Sequence, residues 1–282
     1  MEKKTKVDLL AVQMSSVIGD LRVNIEKVRN LLESSLSEKS ADFVFLPEVW
    51  TVGWDCPSFP SCAEVLNEAK SIKMLQEIAL KYSTNIIGGS FIQKNYDGTL
   101  SNSCPVINRN GEIVCTYNKN HLFSYYGCAE GNFITAGENP VMVELDGVKI
   151  GLSICYDIRF PEIYRAYRKA GADILVNVAA WGANKKIPWD SMTTSRAVEN
   201  QTYFIALTQT GYIKDGANLG HSMILDYNGN ILSEIYSIEG GIYATIDLNE
   251  MYEFRDKCQV IEDIKNFYEV IKKCKNFYHY YL

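Results

Sequence analysis

The chain carries more strand-like runs than one small sheet can use. Short apolar stretches rich in β-branched residues fall at 7–14, 41–47, 85–92, 103–109, 112–118, 141–145 and 148–155. Others follow at 173–179, 203–209, 221–226, 231–237 and 241–247. Helical patterns interrupt them. After a candidate cap at Asp20, Leu21, Ile25, Val28 and Leu32 share one face of a helix over 20–33. Leu66, Ala69, Ile72, Leu75 and Ala79 do the same over 64–82, and further helices are expected at 161–170 and 188–200. The pairs Asp97-Gly98, Asn110-Gly111, Asp146-Gly147 and Asn228-Gly229 mark hairpin turns. So much sheet is best buried by helices on its outer faces. Within 148–155, Val148, Ile150, Leu152 and Ile154 alternate with the small Gly151 and Ser153, which suits a crowded position between layers.

No repeat, low-complexity tract or Pro/Ser-rich linker marks a boundary, so residues 1–282 read as one domain with 251–282 as a C-terminal extension. In that extension Phe267, Val270, Ile271, Cys274, Phe277, Tyr278 and Tyr281 recur at helical spacing among lysines. Such a stripe suits docking on its own protein or a partner subunit better than a membrane surface.

Composition excludes several functions. A net charge of −6 argues against a nucleic-acid partner. No run approaches the roughly 18 apolar residues of a membrane span, and the N-terminus, broken by Asp8, reads as a first strand rather than a signal peptide. The eight cysteines form no CxxC pair, which suits free thiols in the cytoplasm. The three histidines (121, 221 and 279) lack metal-ligand spacing, so neither a metal nor another cofactor is expected.

Three strand ends carry candidate chemistry. Cys155, in SICYDIRFPE (153–162), sits where a strand gives way to a helix with Pro161 in its first turn. It reads either as a small buried core residue or as a nucleophile whose anion the turn's N–H groups would favour. A free thiol with a pKa of about 8.5 needs a base or a positive field to react at neutral pH. His121 and His221 have no context that singles either out as that base. Glu48 ends the apolar run FVFLPE, and Lys119 stands in the aromatic segment TYNKNHLF. Each alone reads more readily as a solvated charge near a strand end than as a catalytic group.

Together, FLPE (45–48), YNKNHLF (117–123) and SICYDIRFPE (153–162), followed by SRAVENQ (195–201) and GHSMILDYNG (220–229), resemble the nitrilase superfamily of carbon–nitrogen hydrolases. The resemblance extends to about residue 250. It implies a four-layer α-β-β-α sandwich, with Glu48 as general base, Lys119 as cationic stabiliser and Cys155 as nucleophile. Glu130, seven residues before Gly137, matches a second glutamate often found after the lysine. The string CYDIRFPE is similar to the branch that includes ω-amidases. That branch implies a small carboxylate-bearing amide such as 2-oxoglutaramate or 2-oxosuccinamate, cleaved through a thioester with release of ammonia. Tyr156, through its N–H, and Trp181, in the acyl pocket, are the expected substrate contacts. Arg159, Lys185 and Lys186 are candidates for the substrate carboxylate. The resemblance also implies a homodimer or higher homo-oligomer. An N-carbamoyl amino acid amidohydrolase, or a catalytically silent binding protein on the same fold, are the competing readings.

Overall fold

The computed structural model describes residues 5–125, 129–213 and 216–265. The stripe at 267–281 lies outside them. The first half of the chain runs β1 (Lys6–Gln13), α1 (Leu21–Glu38), β2 (Phe43–Phe45), α2 (Phe59–Cys62), α3 (Lys70–Tyr82), β3 (Asn85–Ile87), β4 (Phe91–Lys94), β5 (Leu100–Ile107) and β6 (Ile113–Asn118). The second half runs β7 (Met142–Leu145), β8 (Val148–Ile154), α4 (Pro161–Lys169), β9 (Ile174–Ala179), α5 (Lys186–Asn200) and β10 (Tyr203–Thr208). It continues through β11 (Tyr212–Ile213), β12 (Gly216–Ala217), β13 (His221–Leu225), β14 (Ile231–Tyr236), β15 (Gly240–Asp247) and α6 (Leu248–Lys257). One sheet has the order β15-β1-β2-β3-β5-β4, with β6 also on β5; the other has the order β14-β13-β10-β9-β8-β7.

The two-residue period of the strands explains the layers. Val7, Leu9 and Ala11 of β1, Phe43 and Phe45 of β2 and Ile87 of β3 pack into the core shared with the second sheet. The alternate residues Leu10, Val12, Val44 and Ile86 pack instead with Val28, Leu32, Ile72 and Leu75 of α1 and α3. On the other side, the small face of β8 receives helix α4. The Tyr167 ring lies 2.6 Å from where a side chain on Gly151 would begin, and the Tyr164 hydroxyl is 2.6 Å from Ser153 Oγ. The result is helices, sheet, sheet, helices: the expected α-β-β-α sandwich.

Topology brings particular strand ends together. Strands β1, β2 and β3 are parallel, and β6 runs in their direction because two antiparallel pairings separate it from β3. In the second sheet β8, β9 and β10 are parallel. The residues just past β2, β6, β8 and β9 therefore belong to carboxyl ends of strands, where open α/β sheets place their ligands.

Two local expectations shift. The helix expected over 64–82 starts at Lys70, because Glu64 instead bridges Gln93 beside β4 and its carboxylate accepts from Lys70 N at 2.7 Å. The run 85–92 splits into β3 and β4 at Gly88 and Gly89. Gly89 has φ +64 and sits so close to the chain before Glu48 that a Cβ would lie 2.2 Å from Pro47 O. The β11–β12 hairpin and the short turns from Cys56 to Cys62 carry little periodicity and are not evident in the sequence pattern.

Candidate active site

Glu48 follows β2, Lys119 follows β6, and Cys155 follows β8. Glu130 opens a short 3-10 turn, Glu130–Asn132. The fold gathers all four. Lys119 Nζ lies 2.9 Å from Glu48 Oε1 and 3.0 Å from each oxygen of Glu130, and all three side chains are fully buried. Gly137 N donates to Lys119 O at 2.8 Å, which gives the Glu130-to-Gly137 spacing a physical meaning: the loop closes back on the lysine strand.

Other donors saturate the carboxylates. Ala180 N, just past β9, donates to Glu48 Oε2 at 2.8 Å, and Phe123 N donates to Glu130 Oε2 at 2.7 Å. Asn102, from the middle of β5, donates Nδ2 to Glu48 Oε1 at 2.9 Å and to Glu130 Oε1 at 3.3 Å. Gln209 Nε2 holds the Glu48 carbonyl at 2.6 Å. The Trp54 ring centroid stands 5.1 Å from Lys119 Nζ. None of these partners was singled out from the sequence. The one readable hint is the polar run Ser101-Asn102-Ser103, buried within a strand that is otherwise largely apolar.

Burial alone would strip the proton from Lys119, but Glu130 and Glu48 outweigh it and hold the ammonium well above its ordinary range. Glu130 moves up, chiefly through burial and against the opposing pull of Lys119. The Cys155 thiol is also pushed well above its ordinary value, first by burial and then by the charge of Glu48, with Lys119 opposing. That direction is opposite to the one expected from N–H groups at the strand-to-helix junction. For attack the proton must leave the sulfur, and Glu48 is the carboxylate whose charge acts most strongly on it.

Backbone strain marks the same places. Cys155 has φ +47 and Val49, next to Glu48, has φ +41. A β-branched residue in that region is a true outlier, costing on the order of 1–3 kcal/mol, so surrounding contacts must impose it. At Val49 they do: Ser90 Oγ takes its N–H at 2.8 Å.

Cys155 opens onto a cavity of about 790 Å³ whose walls include Trp54, Phe123, Tyr156, Arg159, Trp181 and Lys185. Arg159 lies over two rings, 5.8 Å from the Tyr156 centroid and 5.5 Å from that of Trp181. Trp181 is held by its N–H to Thr208 Oγ1 at 3.0 Å and by its indole N–H to Lys185 O at 2.8 Å. Lys185 Nζ stands 4.6 Å from the Phe123 centroid. Lys186 is no part of this wall; it pairs with Asp190 on the outside of α5. Neither described histidine lines the cavity: His121 bonds the buried Asp157 through Nδ1 at 2.7 Å, and His221 lies between Asp190 and Glu234.

A model of the carbon–nitrogen hydrolase family matches residues 10–256. The 2-oxoglutaramate amidase of Bacillus subtilis is 35% identical over 262 residues, covering 92% of this chain and 98% of that protein. The chloroplastic omega-amidase of Arabidopsis thaliana is 32% identical, covering 89% of this chain and 70% of that one. Among solved structures, Saccharomyces cerevisiae Nit3, described as a member of branch 10 of the nitrilase superfamily, superposes with a TM-score of 0.84 at 26% identity, covering 90% of this chain and 95% of that one. A carbon–nitrogen hydrolase from Helicobacter pylori shares the fold with a TM-score of 0.86 at 24% identity, covering 95% of this chain and 99% of that one. With such matches along most of its length, the chain belongs to the carbon–nitrogen hydrolases of the nitrilase superfamily, on the ω-amidase-like branch, and is a hydrolase of C–N bonds other than peptide bonds.

Proposed function

We propose that the chain hydrolyses the ω-amide of a small carboxylate-bearing acid, of the 2-oxoglutaramate or 2-oxosuccinamate type, through a thioester on Cys155. The observation that carries this reading is a protonated lysine clamped by two carboxylates beside a buried thiol at a cavity wall. The names of the relatives point to the same substrates.

Glu48 takes the thiol proton as sulfur attacks the amide carbon, then returns it to the departing ammonia. Lys119 and the Tyr156 N–H stabilise the tetrahedral oxyanion; losing one such donor typically costs about 3–4 kcal/mol of barrier. Water, activated by Glu48, then attacks the thioester and the carboxylic acid leaves. Lys119 stays charged throughout, since a carboxylate at about 4 Å attracts an ammonium by roughly 4 kcal/mol at an effective dielectric near 20. Glu130 supplies the second half of that attraction. Arg159, held over the rings of Tyr156 and Trp181, supplies the cation for the substrate carboxylate, and Trp181 packs the acyl chain.

A reducing compartment such as the cytoplasm suits a nucleophile that must remain a thiol. Among the described residues, no helix is long and apolar enough to cross a membrane. We assign a homo-oligomer, at least a dimer. Exposed Ile187 and Val198 on α5 and Leu232 on β14 offer apolar surface for it. A sedimentation profile showing only monomer would refute the assignment.

Ammonia release from a panel of ω-amides, N-carbamoyl amino acids, aliphatic amides and nitriles tests the whole reading. Turnover is expected with ω-amides of keto acids. Carbon dioxide from N-carbamoyl substrates with no ω-amide turnover would replace it with the carbamoyl reading, and no turnover of any compound would favour a silent binding protein.

A further inference from the structure

We infer that Asn102 is a positioning residue that clamps Glu48 and Glu130 around Lys119 and thereby sets the proton affinity of the base. The inference rests on the proposed thioester chemistry and adds to it a residue that touches neither the thiol nor the cavity wall.

Asn102 is buried in the middle of β5, and both hydrogens of its amide are used on one task. One goes to Glu48 Oε1 at 2.9 Å and the other to Glu130 Oε1 at 3.3 Å. Its backbone carbonyl meanwhile accepts Lys119 N at 2.9 Å, so the same residue holds the lysine's main chain and both of its counter-ions. The amide orientation is forced: turned over, Oδ1 would face two carboxylate oxygens. In the orientation adopted, Oδ1 finds no donor on the protein among the described residues. Leaving a buried carbonyl so costs free energy. A merely structural polar residue would not be expected to orient both donors toward the site and leave its acceptor unmatched.

The chemical consequence follows from charge. Two carboxylates flank one ammonium in the core, where Glu130 is already pushed up by burial. Apart from one another, the charged and titratable groups facing the carboxylates are Lys119 and Cys155. Neutral N–H donors stabilise the ionised forms without adding a positive charge that would compete with Lys119 for the oxyanion. Among the described residues, Asn102 is the single donor shared by both carboxylates besides the lysine. It also fixes their separation.

The test uses Asn102→Ala and the isosteric Asn102→Asp in the full chain. Both are expected to lower kcat by about 10- to 100-fold, with KM within roughly threefold, because the loss lies in proton transfer and geometry rather than in substrate binding. The acidic limb of the kcat/KM profile is expected to rise by about one pH unit in the Ala variant, since a donor to the ionised carboxylate is gone, and further in the Asp variant, which adds a like charge. A limb unmoved in both variants, or a change confined to KM, overturns the inference. The pH dependence of Cys155 alkylation by iodoacetamide, read by mass spectrometry, needs no amide substrate. If the unaltered protein releases ammonia from nothing, the proposed function fails while this profile still decides for or against Asn102: an acidic limb raised in the Asp variant supports it, and one identical to the unaltered protein's sinks it.

Discussion

The buried floor of the site and the mouth of the cavity are built on opposite principles. On the floor, Glu48, Lys119 and Glu130 are fully buried and joined by short bonds, with donors from β5, β9 and the loop after β6. At the mouth, Arg159 lies over the rings of Tyr156 and Trp181 and Lys185 over that of Phe123, and Arg159 is exposed. A floor of interlocked charges cannot lose one member cheaply, because the remaining ions stay buried without compensation. A mouth made of stacked cations can exchange a member with little effect on its neighbours. Reaction type is thus written into the rigid part, and substrate choice into the adjustable part.

Replacing floor residues tests the first half of that contrast. Cys155→Ala removes the nucleophile and should lower turnover by at least about four orders of magnitude, measured as ammonia release, with the melting profile little changed. Residual turnover near the original rate would place the chemistry elsewhere. Lys119→Met should act on stability as well as rate: two buried carboxylates left facing each other cost about 3–5 kcal/mol, visible as a lowered denaturant midpoint.

Glu130→Gln separates charge from shape. It removes a carboxylate whose proton affinity is raised by burial and by Glu48, while keeping its shape around Lys119. A rate loss of about tenfold should accompany it, as Lys119 loses half its clamp.

The mouth should answer differently. Arg159→Ala is expected to raise KM for a carboxylate-bearing ω-amide about 10- to 50-fold, with kcat within about threefold and no change in melting. An uncharged aliphatic amide should barely notice the change. If kcat fell instead, Arg159 would belong with the floor. The smallest catalytic effect is expected far from both regions: Gly151→Ala forces the Tyr167 ring off β8, destabilising the fold by about 1–3 kcal/mol in a denaturant titration while leaving the kcat of folded protein unchanged.

The same contrast governs what could be read from the sequence. The two facing sheets follow from counting alternating apolar runs. Glu48, Lys119 and Cys155 each stand at the end of such a run, but only the resemblance of FLPE, YNKNHLF and SICYDIRFPE to the nitrilase superfamily joins them into one site. Glu130 has no strand before it and came from the same resemblance, through the family's spacing between a second glutamate and a glycine, here Gly137. The N–H groups of Ala180 and Phe123 carry no side-chain signature, so nothing in the letters announces them. Asn102 was hidden for another reason. A polar residue inside a strand reads as one more solvent-facing position until the sheet is known to be covered on both sides. The delayed start of α3 has the same origin, since Glu64 is diverted by a partner at Gln93 that only the fold brings near. Strand ends are local facts; the donors that tune them are not.

Gly89 extends this point to relatives that look intact. It lies under the carbonyl of Pro47, where any side chain would force the loop bearing Glu48 outward. A homologue could therefore retain the acid, the amine and the thiol yet be inert because of one added methyl group on a neighbouring loop. Surveys that grade members as active by their reacting residues should score this unreactive position too.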